Sequence, residues 1–171
     1  MNDARQDSLY ADAIATYGAA LERLARAYEA DADRRSDLLQ EIHIGLWRSF
    51  ASFDGRCSMR TWVYRVAHNV AISQVARRRS RAPTLVGLEE LESMSHAIDR
   101  EQGIDDRRAL DRLMTLIHAL KPFDRQVILL YLEGLDAASI GDITGFSASN
   151  VATKVHRIKK VLAERFQEGQ V

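Results

Sequence analysis

The chain has 171 residues, 24 basic and 24 acidic side chains and 46% hydrophobic residues, the make-up of a soluble globular protein of one domain or two small ones. No apolar run approaches the roughly 20 residues of a membrane-spanning helix, and MNDARQDSLYADA lacks the basic-then-apolar order of a secretion signal, so a cytoplasmic protein with no membrane segment is expected. The single Cys57 excludes an internal disulfide and a multi-cysteine zinc site.

Ala, Leu, Arg and Glu abound and only two prolines interrupt, which predicts an all-α fold. Tyr10, Ile14, Tyr17, Leu21, Leu24 and Tyr28 recur at helical spacing and mark a first helix from about Ser8 to Ala30. A second helix is expected from about Ser36 to Ala51. Leu39, Ile42, Leu46 and Phe50 share its inner face, whereas Asp37, Gln40, Glu41, Ile44 and Arg48 fall on another. SFDGR then breaks the pattern at Gly55. Ser58 offers a cap for a third helix reaching about Arg79, buried through Trp62, Val63, Val66 and Val70. Trp62 belongs to this apolar stripe; Tyr64 suits either the core or a stacking surface.

Charge is spread unevenly over these elements. Residues 51–85 carry seven Arg against one Asp, net +6, and residues 147–171 carry five basic against two acidic side chains, net +3. Residues 86–111 hold three basic and eight acidic side chains, net −5. Two cationic segments parted by an acidic one fit a polyanion binder that grips at two places. Periodicity fades over 82–104, where Pro83, Gly87 and Gly103 fall, so a flexible acidic linker is expected between small helical domains at 1–81 and 105–171.

The second unit opens with DDRRALDRLMTLIHAL, which stops at KP, and FDRQVILLYLEG, which stops at Gly134. In LDAASIGDITGFSASNVATKVHRIKK a short helix, a turn at Gly145 and a helix opened by Ser147 or Ser149 follow, with Ile140, Ile143, Val151 and Val155 at interlocking positions. That is a helix-turn-helix signature. Ser149, Asn150, Ala152, Thr153 and Lys154 are short or polar and permit close approach to a groove, and His156 and Arg157 come one turn later. Lys154, Arg157, Lys159 and Lys160 suit phosphates or a guanine edge; Asn150 suits an adenine edge or a phosphate.

No enzyme is expected. His43, His68, His96, His118 and His156 form no paired-ligand spacing, and neither a glycine-rich phosphate loop nor a nucleophile motif is present, so no metal and no cofactor are assigned.

Taken together, DLLQEIHIGLWRSFASFDGRCSMRTWVYRVAHNVAISQVARRRSR and LIHALKPFDRQVILLYLEGLDAASIGDITGFSASNVATKVHRIKKVLAERF resemble the second and fourth conserved regions of the extracytoplasmic-function sigma factors, small two-domain bacterial initiation factors. The resemblance spans about residues 8–167. It implies that Asp37, Gln40 and Glu41, with Ile44 and Arg48 on the same face, dock on the clamp of core RNA polymerase, with the second unit reaching the flap. It implies a base-accepting loop walled by Asp54, Arg56, Ser58 and Met59, followed by Arg60, and a single-strand path along Arg65 and Asn69 at the −10 element. Arg77, Arg78, Arg79 and Arg81 then meet duplex phosphate, and Ser149, Asn150, Ala152, Thr153, Lys154, His156, Arg157 and Lys160 meet the −35 element. Arg34, Arg35 and Ser36 stand where the family usually carries acidic residues, and His43 where an aromatic is usual. The resemblance also implies an anti-sigma factor or other regulator as partner, and action at the nucleoid with polymerase. A helix-turn-helix regulator acting without polymerase is the competing reading; it leaves residues 36–81 without a role.

Overall fold

The computed structural model describes residues 2–81 and 106–168. The expected linker at 82–104, with His96, lies outside the described residues, as do the side chains of Arg79 and Arg81.

Helix α1 (Asn2–Tyr28) starts earlier than the apolar stripe requires. Its first turns are tied to the second helix: Gln6 Nε2 donates to the Trp47 carbonyl oxygen at 2.7 Å, and Trp47 Nε1 donates to Asp7 Oδ1 at 2.8 Å. Helix α2 (Ala32–Ser49) also begins before the expected Ser36, because Asp31 Oδ1 accepts the Arg34 backbone N–H at 2.9 Å and caps the helix there. A 3-10 turn (Phe50–Ser52) ends it. Helix α3 (Met59–Arg81) starts where predicted, with Ser58 Oγ accepting the Thr61 N–H at 3.1 Å.

Leu21, Leu24, Ala25 and Tyr28 of α1, Leu38, Ile42 and Leu46 of α2, and Val63, Ala67 and Ala71 of α3 close the first core. Leu38, rather than Leu39, is the fully buried leucine of that turn, and Trp62, Val66 and Val70 line the edge of the core. Small side chains bring α2 and α3 close: a β-carbon on Gly45 would stand 3.0 Å from Val70 Cγ2.

The second unit comprises α4 (Asp106–His118), α5 (Pro122–Leu132), α6 (Ala137–Thr144) and α7 (Ala148–Glu168). Pro122 opens α5 at a position that needs no N–H, and Asp136 Oδ1 caps α6 by accepting the Ser139 N–H at 2.8 Å. Gly145, at φ +81°, ends α6 in the left-handed region. Of the two candidate caps for α7, Ser147 takes the role, its Oγ accepting the Asn150 N–H at 3.2 Å. Val151, Val155, Ile158 and Leu162 bury one stripe of α7 against Val127, Ile128 and Leu130 of α5 and Ile140 and Ile143 of α6. Gly141 is as important as the turn itself: a β-carbon there would lie 2.6 Å from the Phe146 carbonyl oxygen.

The two units pack on each other. Ala20 of α1 and Tyr64 of α3 are buried in the core of the second unit, and α3 lies along α5 and α6 while α1 meets α4. Buried Arg125 of α5 donates from Nε to the Ile117 carbonyl oxygen at 3.2 Å and from Nη2 to those of Leu120, at 3.1 Å, and His118, gathering the last carbonyls of α4. Its guanidinium stands 5.3 Å from the centre of the Tyr28 ring. Tyr28 in turn hydrogen-bonds His68 Nδ1 at 3.0 Å in a site closed to water, which pushes the imidazole down to about 3.

Gly141→Ala is expected to destabilise the chain by about 1–3 kcal/mol, since backbone rather than a flexible side chain opposes the new methyl group; a thermal melt checks it. His68 stays neutral in the fold but titrates near its ordinary 6.5 when unfolded, so the unfolded chain binds the extra proton between pH 6.5 and about 3. Stability is complete above that window and falls through it by up to about 1.4 kcal/mol per pH unit. Urea titrations against pH should show a shallower slope in His68→Gln.

Candidate nucleic-acid interface

Helix α2 turns Asp37, Gln40, Glu41, Ile44 and Arg48 to solvent on one face, as the periodicity predicts. Trp47, 40% exposed, extends that face one turn from Ile44 and was not foreseen. Its indole N–H is held by Asp7, forty residues away in the chain. His43 packs edge-on against Tyr10 and shares a 2.8 Å hydrogen bond with its hydroxyl, so it does an aromatic side chain's packing at the α1–α2 contact. Burial lowers its pKa.

The loop before α3 separates into an outer and an inner part. Asp54 is outer: it accepts the Arg56 N–H at 3.1 Å and pairs with Arg56 Nε at 3.0 Å, both side chains being exposed. Ser58 is spent on capping α3, and Met59 is half-buried against the first core. Phe53 packs 5.2 Å from the Trp62 ring, and Trp62 Nε1 donates to Ser49 Oγ at 2.9 Å. Trp62 therefore belongs to the packing beneath the loop.

Along α3 the structure divides the predicted strand-facing residues. Asn69 is exposed. Arg60 Nη2, by contrast, donates to the Glu133 carbonyl oxygen at 2.8 Å, and Arg65 Nη2 to that of Asp142. Tyr64 is 3% exposed and directs its hydroxyl to Glu133 Oε2 at 3.4 Å. Burial, aided by the Glu133 charge, pushes that phenol up to about 12. The Glu133 carboxylate is held in a two-point grip by Arg23 Nε and Nη2 at 2.7 and 2.8 Å, which raises the arginine's pKa further. Arg23, Glu133 and Asp142 carry no local motif, and only the packing of the units brings them here. Further along, Arg77 is exposed, and Arg78 pairs with Glu29, the residue that follows α1.

On α7, Ser149, Asn150, Ala152, Thr153, His156 and Arg157 are exposed on the face opposite the buried stripe. Thr153 bonds back to the Ser149 carbonyl oxygen at 3.0 Å. Lys154 is half-buried: its Nζ lies 3.1 Å from Asp124 Oδ1 and 5.3 Å from the Phe146 ring centre. Arg157 Nη2 stands 3.6 Å from the same oxygen. Asp124, in the first turn of α5, thus aligns two cations of the outer helix, an arrangement that a reading of α7 alone misses. Lys160 forms a long, exposed pair with Glu164 at 3.9 Å. Among the described residues no cluster of His, Cys, Asp or Glu is placed to hold a metal ion.

The fold agrees with what the chain is similar to. The family model for Sigma-70 region 2 matches residues 13–81, and that for Sigma-70, region 4 matches residues 110–162. The ECF RNA polymerase sigma factor SigX of Bacillus subtilis is 27% identical over 143 residues, 80% of this chain and 73% of its own. SigW of the same organism is 23% identical over 167 residues, 93% and 89% of the two chains. Among solved structures, CnrH in complex with the cytosolic domain of CnrY superposes with a TM-score of 0.67 at 17% identity, covering 98% of this chain and 97% of that one. The sigma factor RpoE of Bartonella quintana, in complex with the anti-sigma factor NepR, superposes with 0.66 at 18% identity, covering 90% and 94%. With both Sigma-70 regions present in this order, the chain belongs to the extracytoplasmic-function sigma factors, which are transcription initiation factors.

Proposed function

We propose that this protein joins core RNA polymerase, recognises −10 and −35 promoter elements, assists promoter melting and starts transcription of a specific set of genes. The observation that carries the reading is the union in one chain of an outward helix-turn-helix with an N-terminal unit whose α2 presents an exposed face of Asp37, Gln40, Glu41, Ile44 and Arg48. A duplex-binding regulator needs the first and has no use for the second. Residues 1–81 act as the −10 and polymerase unit, 82–104 as the linker and 105–171 as the −35 unit. Polymerase-bound action puts the protein in the cytoplasm, at the nucleoid.

On this reading Asp37, Gln40, Glu41, Ile44 and Arg48, joined by Trp47, dock on the polymerase clamp, and the second unit meets the flap. The loop of Asp54, Arg56, Ser58 and Met59 receives an unstacked base. Arg60, Arg65 and Asn69 follow the opened strand, with cations on its phosphates and a polar amide at its bases. Arg77, Arg78 and Arg79 grip the adjoining duplex. Helix α7 enters the major groove through its N-terminal half, Asn150 reading a base edge and Arg157 and Lys160 meeting phosphate. An anti-sigma factor is the partner that would hold this protein in reserve, as NepR accompanies RpoE in the solved complex.

Run-off transcription from a promoter library with purified core polymerase tests the whole reading. Specific initiation only when this protein is added is the expected result, and duplex binding with no effect on initiation would assign it to the regulators. Asp37→Ala combined with Gln40→Ala is expected to weaken core binding about tenfold while leaving the thermal melt unchanged, since both side chains are exposed. In −35 duplex binding, Arg157→Ala and Lys160→Ala should each reduce the log-log salt slope by about 0.9 at similar cost on every sequence, measured by fluorescence anisotropy over a salt series.

A further inference from the structure

We infer that Asp124 is a positioning residue for promoter selectivity: it holds Lys154 as an internal strut between α5 and α7 and leaves Arg157 as the cation of the two that faces DNA. The inference rests on the reading above that α7 enters the major groove at the −35 element. The two cations share one carboxylate oxygen but not its surroundings. Lys154 Nζ lies 3.1 Å from Asp124 Oδ1, and these side chains are only 22% and 18% exposed. Arg157 Nη2 stands 3.6 Å from that oxygen, on a side chain that is 63% exposed. The Lys154 ammonium also lies over the Phe146 ring, 5.3 Å from its centre, and Phe123 meets that ring edge-on at 6.4 Å. Lys154 thus touches both elements that lead into α7, the first turn of α5 through Asp124 and the turn after α6 through Phe146.

What the strut adds is direction. Val151, Val155, Ile158 and Leu162 fasten α7 by apolar packing, which is non-directional and resists separation from α5 and α6 more than a small roll of the helix about its own axis. Lys154 stands beside Val155 at the edge of this stripe, where a charged hydrogen bond of fixed length to α5 opposes the roll. A base-edge contact by Asn150 depends on that roll, because hydrogen bonds weaken steeply when misaligned. Attraction of Arg157 and Lys160 to phosphate is longer in range and tolerates it. Drawing Lys154 out to a phosphate would also take the closer of its two cations from a half-buried carboxylate. Loss of the strut is therefore a loss of selectivity with the cationic grip retained.

The test uses the full chain and fluorescence anisotropy over a salt series, with two labelled duplexes: one carries the −35 element of a promoter active in run-off transcription, the other has that element scrambled. Asp124→Asn combined with Lys154→Met removes the pair at constant net charge and with little change of volume. The log-log salt slope and the affinity for the scrambled duplex are expected to stay at the parent values, while the promoter duplex binds about 3- to 10-fold more weakly, the range of one partly exposed ion pair. A slope lowered by about 0.9 makes Lys154 a phosphate contact and overturns the strut. So does undiminished discrimination between the duplexes. If the double variant melts below the assay temperature, the ratio of the two affinities is read from Asp124→Asn alone, in which the added net charge strengthens both complexes and cancels. Asp124→Glu, which keeps the carboxylate, is expected to discriminate better than Asp124→Asn; equal loss in the two assigns the effect to packing and overturns the ion pair's role. Failure of the −35 reading has its own signature, since the parent protein then binds both duplexes equally.

Discussion

Helix α3 is packed on two sides at once, and the rest of the architecture follows from how it shares itself. Val63, Ala67 and Ala71 face α1 and α2 and close the first core. One residue further round, Tyr64 faces α5 and α6 and is counted in the second core. A helix whose buried stripes adjoin in this way sets the residues at their border, Arg60 and Arg65, within reach of carbonyl oxygens of the second unit. This constraint explains why a cationic segment predicted to face nucleic acid is found satisfied by carbonyl oxygens of its own chain.

The same economy governs the other polar groups between the units. Arg125 satisfies the loose carbonyls at the end of α4, and in doing so brings its charge against the Tyr28 ring. Tyr28 passes the connection to His68, which is buried and neutral. Each of these groups would be costly to bury alone, and each is buried with a partner. On α7 the logic runs outward. Asp124 draws in Lys154 and approaches Arg157, so those cations are held in line along the helix, while Asn150 and His156 remain exposed.

Much of the architecture was legible in the chain. Helix α7 and its turn were read from Gly145 and the spacing of Ile140, Ile143, Val151 and Val155, and the exposed face of α2 from Asp37, Gln40, Glu41, Ile44 and Arg48. These features are local: a left-handed turn, a helical period and a cap depend on residues within a few positions of one another. The early starts of α1 and α2 were missed because Gln6 and Asp7 are recruited by Trp47 from another helix, and because Asp31 offered an earlier cap than Ser36.

By itself, then, the amino-acid sequence determined the helices, their buried stripes, the order of the two units and the two cationic segments, since periodicity and charge reside in neighbouring residues. It left open whether Tyr64 belongs to the core or to a stacking surface, and it contained no sign that Arg23 and Glu133, 110 residues apart, form an ion pair. The tertiary structure decided both, because only the packing of α5 and α6 on α3 buries the Tyr64 ring and brings oppositely charged groups from separate units within hydrogen-bond distance. Periodicity shows which side of a helix avoids water; it does not show which neighbour covers that side.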